Sequence, residues 1–459
     1  MNIVRLKTSP WRLAKLALAA VFAVLVGCTD TPGEPNGQGN LRAVHAIAEY
    51  GTVQFLIEGA SLVALEFQGT SSFSEFDDLN YDFNFEVIDG STGELARVAT
   101  TNLTVEVDTD YTFFVTGSPA SPQITIVSQP ESTLDANATD VELWFANLSS
   151  VPGGIDFYVG ATDFDPAATQ PLASLAATAF NDDIASLAAD TYQVVVTARG
   201  DAATEIYRSE PFGFPSGDRF LVNFFDNAGD GTTDYTLQIA GGSTAGSIAD
   251  DAAPTRLQIF HASQTTANVD VLVDADAANP LITNLAFGEL SDLSDVAAAD
   301  DGAEVALQVT PTGDAGVTLL EQAATFADAT SSFAVLSGDQ ADETLAIIPI
   351  ALLRRPVFDA VRFGVFNAVQ TQDFIDLYLL EEGEELETEN PLARLPGSTA
   401  IDQLTLTPIN YQVYITEQDT KTVLAGPLDL ALAAGEVVEL IIVDSAIANT
   451  VDIVVLDPR

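Results

Sequence analysis

Histidine is scarce in this chain, and both copies fall in one pattern. His45 is followed nine residues later by Gln54, and His261 nine residues later by Asp270. The same spacing joins Asn147 to Asp156 and Asn367 to Asp376. A histidine near an aspartate is the raw material of a general base or of a metal site. Two of the four copies, however, hold asparagine in place of histidine. Asparagine donates and accepts hydrogen bonds as a neutral imidazole does, but it does not titrate near neutrality. The exchange predicts side chains that satisfy loop backbone at the rim of a sheet, and it argues against catalysis. Asp156, Asp270 and Asp376 lie between inward apolar neighbours, so alternation points them outward, as turn caps or as charges that blunt a sheet edge.

A second constellation is Asp226-Asn-Ala-Gly-Asp230-Gly231-Thr-Thr-Asp234. It places oxygens at positions 1, 5 and 9 with glycine at 6, as calcium loops do. Ala228 stands at position 3 and Leu237 at position 12, where a ligand and a glutamate belong. The stretch also joins two strand-like runs, where a glycine-rich hairpin turn explains Asp-Gly unaided. No cofactor is required, and calcium is the alternative. A hydrolase is disfavoured: the nearest approach to a nucleophile elbow, Gly241-Gly-Ser243-Thr-Ala245, lacks its final glycine.

The elements that must carry these residues are strands. In R-L-Q-I-F-H-A-S, Leu257, Ile259 and His261 alternate, and the alternation restarts in V-D-V-L-V at Val269, Val271 and Val273. V-Q-F-L-I, I-D-F-Y-V and I-D-L-Y-L repeat the second run elsewhere. About seven short strands in roughly 100 residues, with frequent turn signals, argue an immunoglobulin-like β-sandwich. Period-two alternation argues antiparallel sheets. The expected fold is all-β, with four tandem sandwiches at residues 41–128, 140–241, 255–351 and 358–458. Residues 172–188 are alanine-rich and could form a short helix, though no caps support one. The connectors 128–140 and 241–254 are polar and small, which predicts flexing between modules. The connector 352–359 is apolar, which predicts that the third and fourth modules pack together.

Charge narrows the partners. The chain holds 67 acidic and 16 basic residues. Such a surface repels nucleic acid and anionic lipid, keeps a monomer soluble and attracts cations. Adaptation to a salty, screening medium explains it without a specific metal. Apolar residues make up 47% of the chain, enough for folded cores.

The amino terminus is an address. Arg5, Lys7, Arg12 and Lys15 precede the uncharged run 16–26, too short to span a bilayer, which needs about 20 residues. A basic start, a short apolar run and small residues at the break describe an export signal over residues 1–27. The break, Leu25-Val-Gly-Cys28, resembles the lipobox of bacterial lipoproteins. That resemblance implies cleavage before Cys28 and its acylation, which also accounts for the single cysteine of an exported chain. By the same resemblance, Thr29 after the cysteine implies the outer membrane. Residues 28–40, rich in Pro, Gly and Asn, read as a flexible tether.

The block R-L-Q-I-F-H-A-S…V-D-V-L-V is similar to the opening of the bacterial DUF4397 family. The third module matches it most fully. The first keeps His45-Ala46, the fourth Asn367-Ala368 with Ile375-Asp-Leu-Tyr378, and the second Ile155-Asp-Phe-Tyr158. The resemblance implies immunoglobulin-like sandwiches, export and no catalytic residues. The expected function is non-catalytic work in the cell envelope, through protein or glycan partners, with carbohydrate or calcium binding as the alternative.

Overall fold

The structure, a computed structural model, describes residues 35–457 apart from 89–93, 136, 182, 230–231, 242–243, 297–303 and 327–328. The expected signal, Cys28 and most of the tether lie outside the described residues, as does Asp230. Where described, the chain is built of strands, with one short 3-10 turn at Pro166–Ala168. The alanine-rich stretch is not helical: it forms the strands Ala173–Leu175, Ala179–Phe180 and Ala185–Ala188.

The first module sets the plan. Its strands are β1 (Gln38–His45), β2 (Val53–Ile57), β3 (Ala60–Leu65), β4 (Ser74–Asp77), β5 (Asn80–Ile88), β6 (Leu95–Thr104), β7 (Thr109–Ser118) and β8 (Ser121–Pro130). β1 therefore takes in the last three residues of the expected tether. One sheet runs β4-β1-β7-β8 and the other β3-β2-β5-β6. In β5 the alternation places Phe83, Phe85 and Val87 inward; Phe83 and Phe85 stack on Phe55 of the neighbouring β2, and Phe83 meets Phe113 of the opposite sheet. One expectation needs correcting. β1 and β7 run parallel, so the first sheet is mixed rather than antiparallel. The chain crosses through the opposite sheet between them, and such a crossover permits parallel pairing.

The plan repeats in the other three modules. In each, the first strand pairs in parallel with the equivalent of β7: Asp140–Leu148 with Arg219–Asp226, Thr255–His261 with Ser331–Ser337, and Val361–Asn367 with Val437–Asp444. Each sandwich encloses its own apolar core.

The mixed sheets are buried on both faces. In Val437–Asp444 every residue is buried, including Glu439. Val438, Leu440 and Ile442 face the core of the fourth module, while Ile441 and Val443 join Phe260, Phe333 and Val335 of the third. The first two modules meet in the same way, through Val44 and Phe114 against Trp144, Leu221 and Phe225. Packing of the third and fourth modules was expected. Flexing of the first two was not what the fold provides. Arg219 crosses that interface to Asp110 (3.3 Å) while holding Glu142 (2.7 Å), and Thr70 donates to Gln238 Oε1 at 2.6 Å. Residues 241–254 are not a loose spacer either, because Thr244–Ile248 adds a fifth strand in line with the mixed sheet of the second module.

Candidate functional site

The four rim positions share one hydrogen-bond scheme. Each ends a first strand and faces the loop that leads to the second strand or its neighbour. The acceptor atom takes the backbone N–H two residues on: Ile47 to His45 Nδ1 and Ser263 to His261 Nδ1, both 3.3 Å, Ser149 to Asn147 Oδ1 at 3.1 Å, and Val369 to Asn367 Oδ1 at 3.0 Å. The donor atom gives to a backbone carbonyl that differs with residue type: the imidazoles reach the loop before the second strand, His45 Nε2 to Gly51 O (3.0 Å) and His261 Nε2 to Ala267 O (3.3 Å), whereas the amides reach the third strand or the residue just after it, Asn147 Nδ2 to Ala176 O (2.9 Å) and Asn367 Nδ2 to Leu395 O and Pro396 O. This scheme requires the neutral imidazole with its proton on Nε2, which is the tautomer that asparagine mimics. Burial pushes His45 down to about 4, assisted by Arg355, and lowers His261 as well. All four are fully buried, so neither imidazole is placed to exchange protons with a substrate.

The three aspartates also act alike, but not as exposed charges. Asp156 and Asp376 are buried, and each member of the set receives the backbone N–H of the following hairpin. Gly200 N lies 2.7 Å from Asp156, Gly313 N lies 2.9 Å from Asp270, and Asp419 N lies 2.9 Å from Asp376. Alternation in one strand could not reveal that the neighbouring turn folds over the carboxylate. Asp376 also pairs with Arg394 through Nε (2.8 Å) and Nη2 (3.2 Å). Gln54, the member from the first module, sits half-buried in register with Ala64 and Glu86.

Of the calcium-like loop, Asp226 and Asp234 are described and Asp230 is not. The Asp226 carboxylate accepts Ser150 N (3.1 and 3.0 Å) and Ser150 Oγ (3.1 Å), whereas Asp234 is exposed. Asp444 does the same in the fourth module, taking Gln370 N at 2.9 Å and Thr371 Oγ1 at 2.6 Å. Both aspartates tie the end of a β7-equivalent strand to the loop after the first strand, a recurrence that alignment of the modules on their rim residues would have revealed. Among the described residues, no three His, Cys, Asp or Glu side chains gather to hold a metal. An open cleft of about 500 Å³ on the fourth module is lined by Glu381, Glu382, Asp429 and Tyr411. Tyr411 is only 7% exposed and belongs to the core, so it offers no ring face on which a sugar could stack.

One residue was missed altogether. Glu439 faces the third module, in register with Gly364, and neither carboxylate oxygen has a hydrogen-bond partner among the described residues. Thr112, Leu221 and Phe333 hold the equivalent places. Burial alone pushes Glu439 up to about 8.

Comparison with known proteins adds a family match and little else. The model of a family described as a domain of unknown function (DUF4397) matches residues 39–158. That span takes in the first module and ends within I-D-F-Y-V of the second, although the third module carries the fullest form of the motif. No curated protein matches the chain. A solved structure titled "The Bacillus anthracis TIE protein" aligns at 10% identity with a TM-score of 0.14, covering 86% of this chain. This chain spans 66% of that one.

Proposed function

We propose that this protein is a non-catalytic, lipid-anchored component of the bacterial cell envelope, whose β-sandwiches serve presentation, adhesion or scaffolding. The observation that carries the reading is the repeated rim scheme. The only two histidines and their asparagine counterparts spend donor and acceptor on backbone, taking the N–H two residues on in all four modules and giving to a nearby carbonyl. Chemistry-bearing side chains are thereby given to architecture, and what each module offers a partner is loops and sheet edges. Acylation of Cys28 supplies the attachment, since several acyl chains at roughly 0.8 kcal/mol per buried methylene hold a protein on a bilayer.

The test is growth with an alkyne fatty acid, followed by membrane fractionation of the wild type and of Cys28→Ala. The wild type is expected to be labelled and to sediment with outer membranes, and the variant to be unlabelled and released. A labelled Cys28→Ala, or an unlabelled wild type, refutes the anchor.

A further inference from the structure

The second module shows how this sandwich accepts an added strand. Thr244–Ile248 pairs antiparallel with Tyr235–Gly241, placing Ile248 opposite Leu237 and Gly246 opposite Ile239. The segment then crosses to the other sheet, where Glu210 N bonds Ala249 O and Asp251 N bonds Arg208 O. Ile239 is left 2% exposed, and Ile248 joins the core. In the fourth module the corresponding strand is Val451–Leu456, and among the described residues it pairs only with Val437–Asp444. Val455 occupies the place of Ile239, since Val222↔Ile239 and Leu440↔Val455 are matched pairs two residues from the rim register. It stands 44% exposed. A cleft of about 190 Å³ opens beside it, lined by Leu430, Leu432, Val438 and Val455 together with Glu436.

The third module closes the same edge differently. Pro349 takes the equivalent place, and Gln322 bonds both edge groups of Ile347, accepting its N–H (3.0 Å) and donating to its carbonyl (2.7 Å). Proline and side-chain cover are how proteins blunt an edge that would otherwise recruit a strand. The run V-D-I-V-V-L has no proline and, among the described residues, no such clamp.

We infer that the Val451–Leu456 edge of the fourth module is a docking site for an extended, positively charged segment of a partner protein. The segment adds antiparallel to this edge, as Thr244–Ile248 adds to its own, and sets a branched apolar side chain into the cleft. Glu436, the exposed Asp452 and a chain of formal net charge −51 select a cationic strand and disfavour a second copy of this protein. This deepens the scaffolding reading and rests on it, by naming the edge and the kind of partner.

The test uses the full mature chain in detergent and a fluorescent peptide K-T-A-G-S-I-A-K, the native docking strand with its flanks made basic. Saturable binding that weakens with salt is expected, with amide exchange protected over residues 451–456. Val455→Pro, which copies what the third module already tolerates, is expected to weaken binding at least about tenfold at an unchanged melting temperature. Val455→Lys provides a second block should the proline disturb folding. Protection over residues 235–241 instead, equal binding by both variants, self-association through this edge, or no binding overturns the inference. None of these outcomes bears on acylation of Cys28, so the anchor is judged separately.

Discussion

Replacing Glu439 with leucine should stabilise the protein, and increasingly so as the pH rises. The carboxyl is fully buried between two modules, and neither oxygen finds a partner among the described residues. Burial pushes its carboxyl from the ordinary 4.5 up to about 8 in the fold. An acid whose folded pKa lies above its unfolded value binds its proton more tightly when folded. Folding is therefore favoured most below the unfolded pKa, and the loss accumulates as pH climbs from about 4.5 to about 8. At 1.36 kcal/mol per unit, the full penalty is on the order of 4 to 5 kcal/mol, of which roughly 3 is present at pH 7. Leucine is of similar size and would sit opposite Leu456 and two residues from Ile441, both in the apolar interface, so it adds apolar contact instead of strain. The assay is urea unfolding of wild type and Glu439→Leu at several pH values from 5 to 9. Only the difference between them is used, because the other carboxylates titrate equally in both. The stabilisation should be small at pH 5, grow by roughly 1 kcal/mol per pH unit in between, and level off above 8. Glu439→Gln should lose the pH dependence without gaining the full stability, since a buried amide still lacks partners. A difference that stays flat across this range would falsify the placement of Glu439 in the interface.

Three further outcomes follow from the same packing. His261→Asn should cost less than His261→Ala because it keeps the acceptor for the Ser263 N–H, whereas His261→Ala should cost about 1 to 3 kcal/mol by orphaning that buried N–H and the Ala267 carbonyl; equal losses in differential scanning calorimetry would contradict the shared acceptor. A Cβ at Gly364 would overlap the Glu439 carboxylate, so Gly364→Ala should destabilise the wild type by about 1 to 3 kcal/mol but much less in a Glu439→Ala background. A double-mutant cycle in urea measures that coupling, and strict additivity would exclude the contact. Trp144 and Trp11 are the two tryptophans of the sequence, and Trp144 lies in the interface of the first two modules, 5.8 Å from the Phe114 ring. Phe114→Ala should therefore loosen that interface at a cost of about 3 to 5 kcal/mol and shift the emission of Trp144 to the red; an unshifted spectrum argues against burial of Trp144 between modules.

Several features were legible in the residues themselves. The fourfold nine-residue spacing of rim residue and polar partner, Gln54 or an aspartate, marks a repeated unit, and alternation in runs such as V-D-V-L-V marks strands, because side chains on a strand must turn to opposite faces. The exchange of His45 and His261 for Asn147 and Asn367 pointed to hydrogen bonding, because the two side chains share a donor–acceptor geometry but not a titration. What pattern alone left open was which groups would meet across long separations. The direction of β1 relative to β7, the folding of Gly200 and Gly313 over Asp156 and Asp270, and the capture of Asp226 by Ser150 all bring together residues that local periodicity cannot pair. The second faces of the mixed sheets show the same limit. Runs such as V-V-E-L-I-I-V-D announce that both faces are buried, but only the assembled chain decides that a sister module covers one of them, and that a carboxylate is enclosed there without a partner.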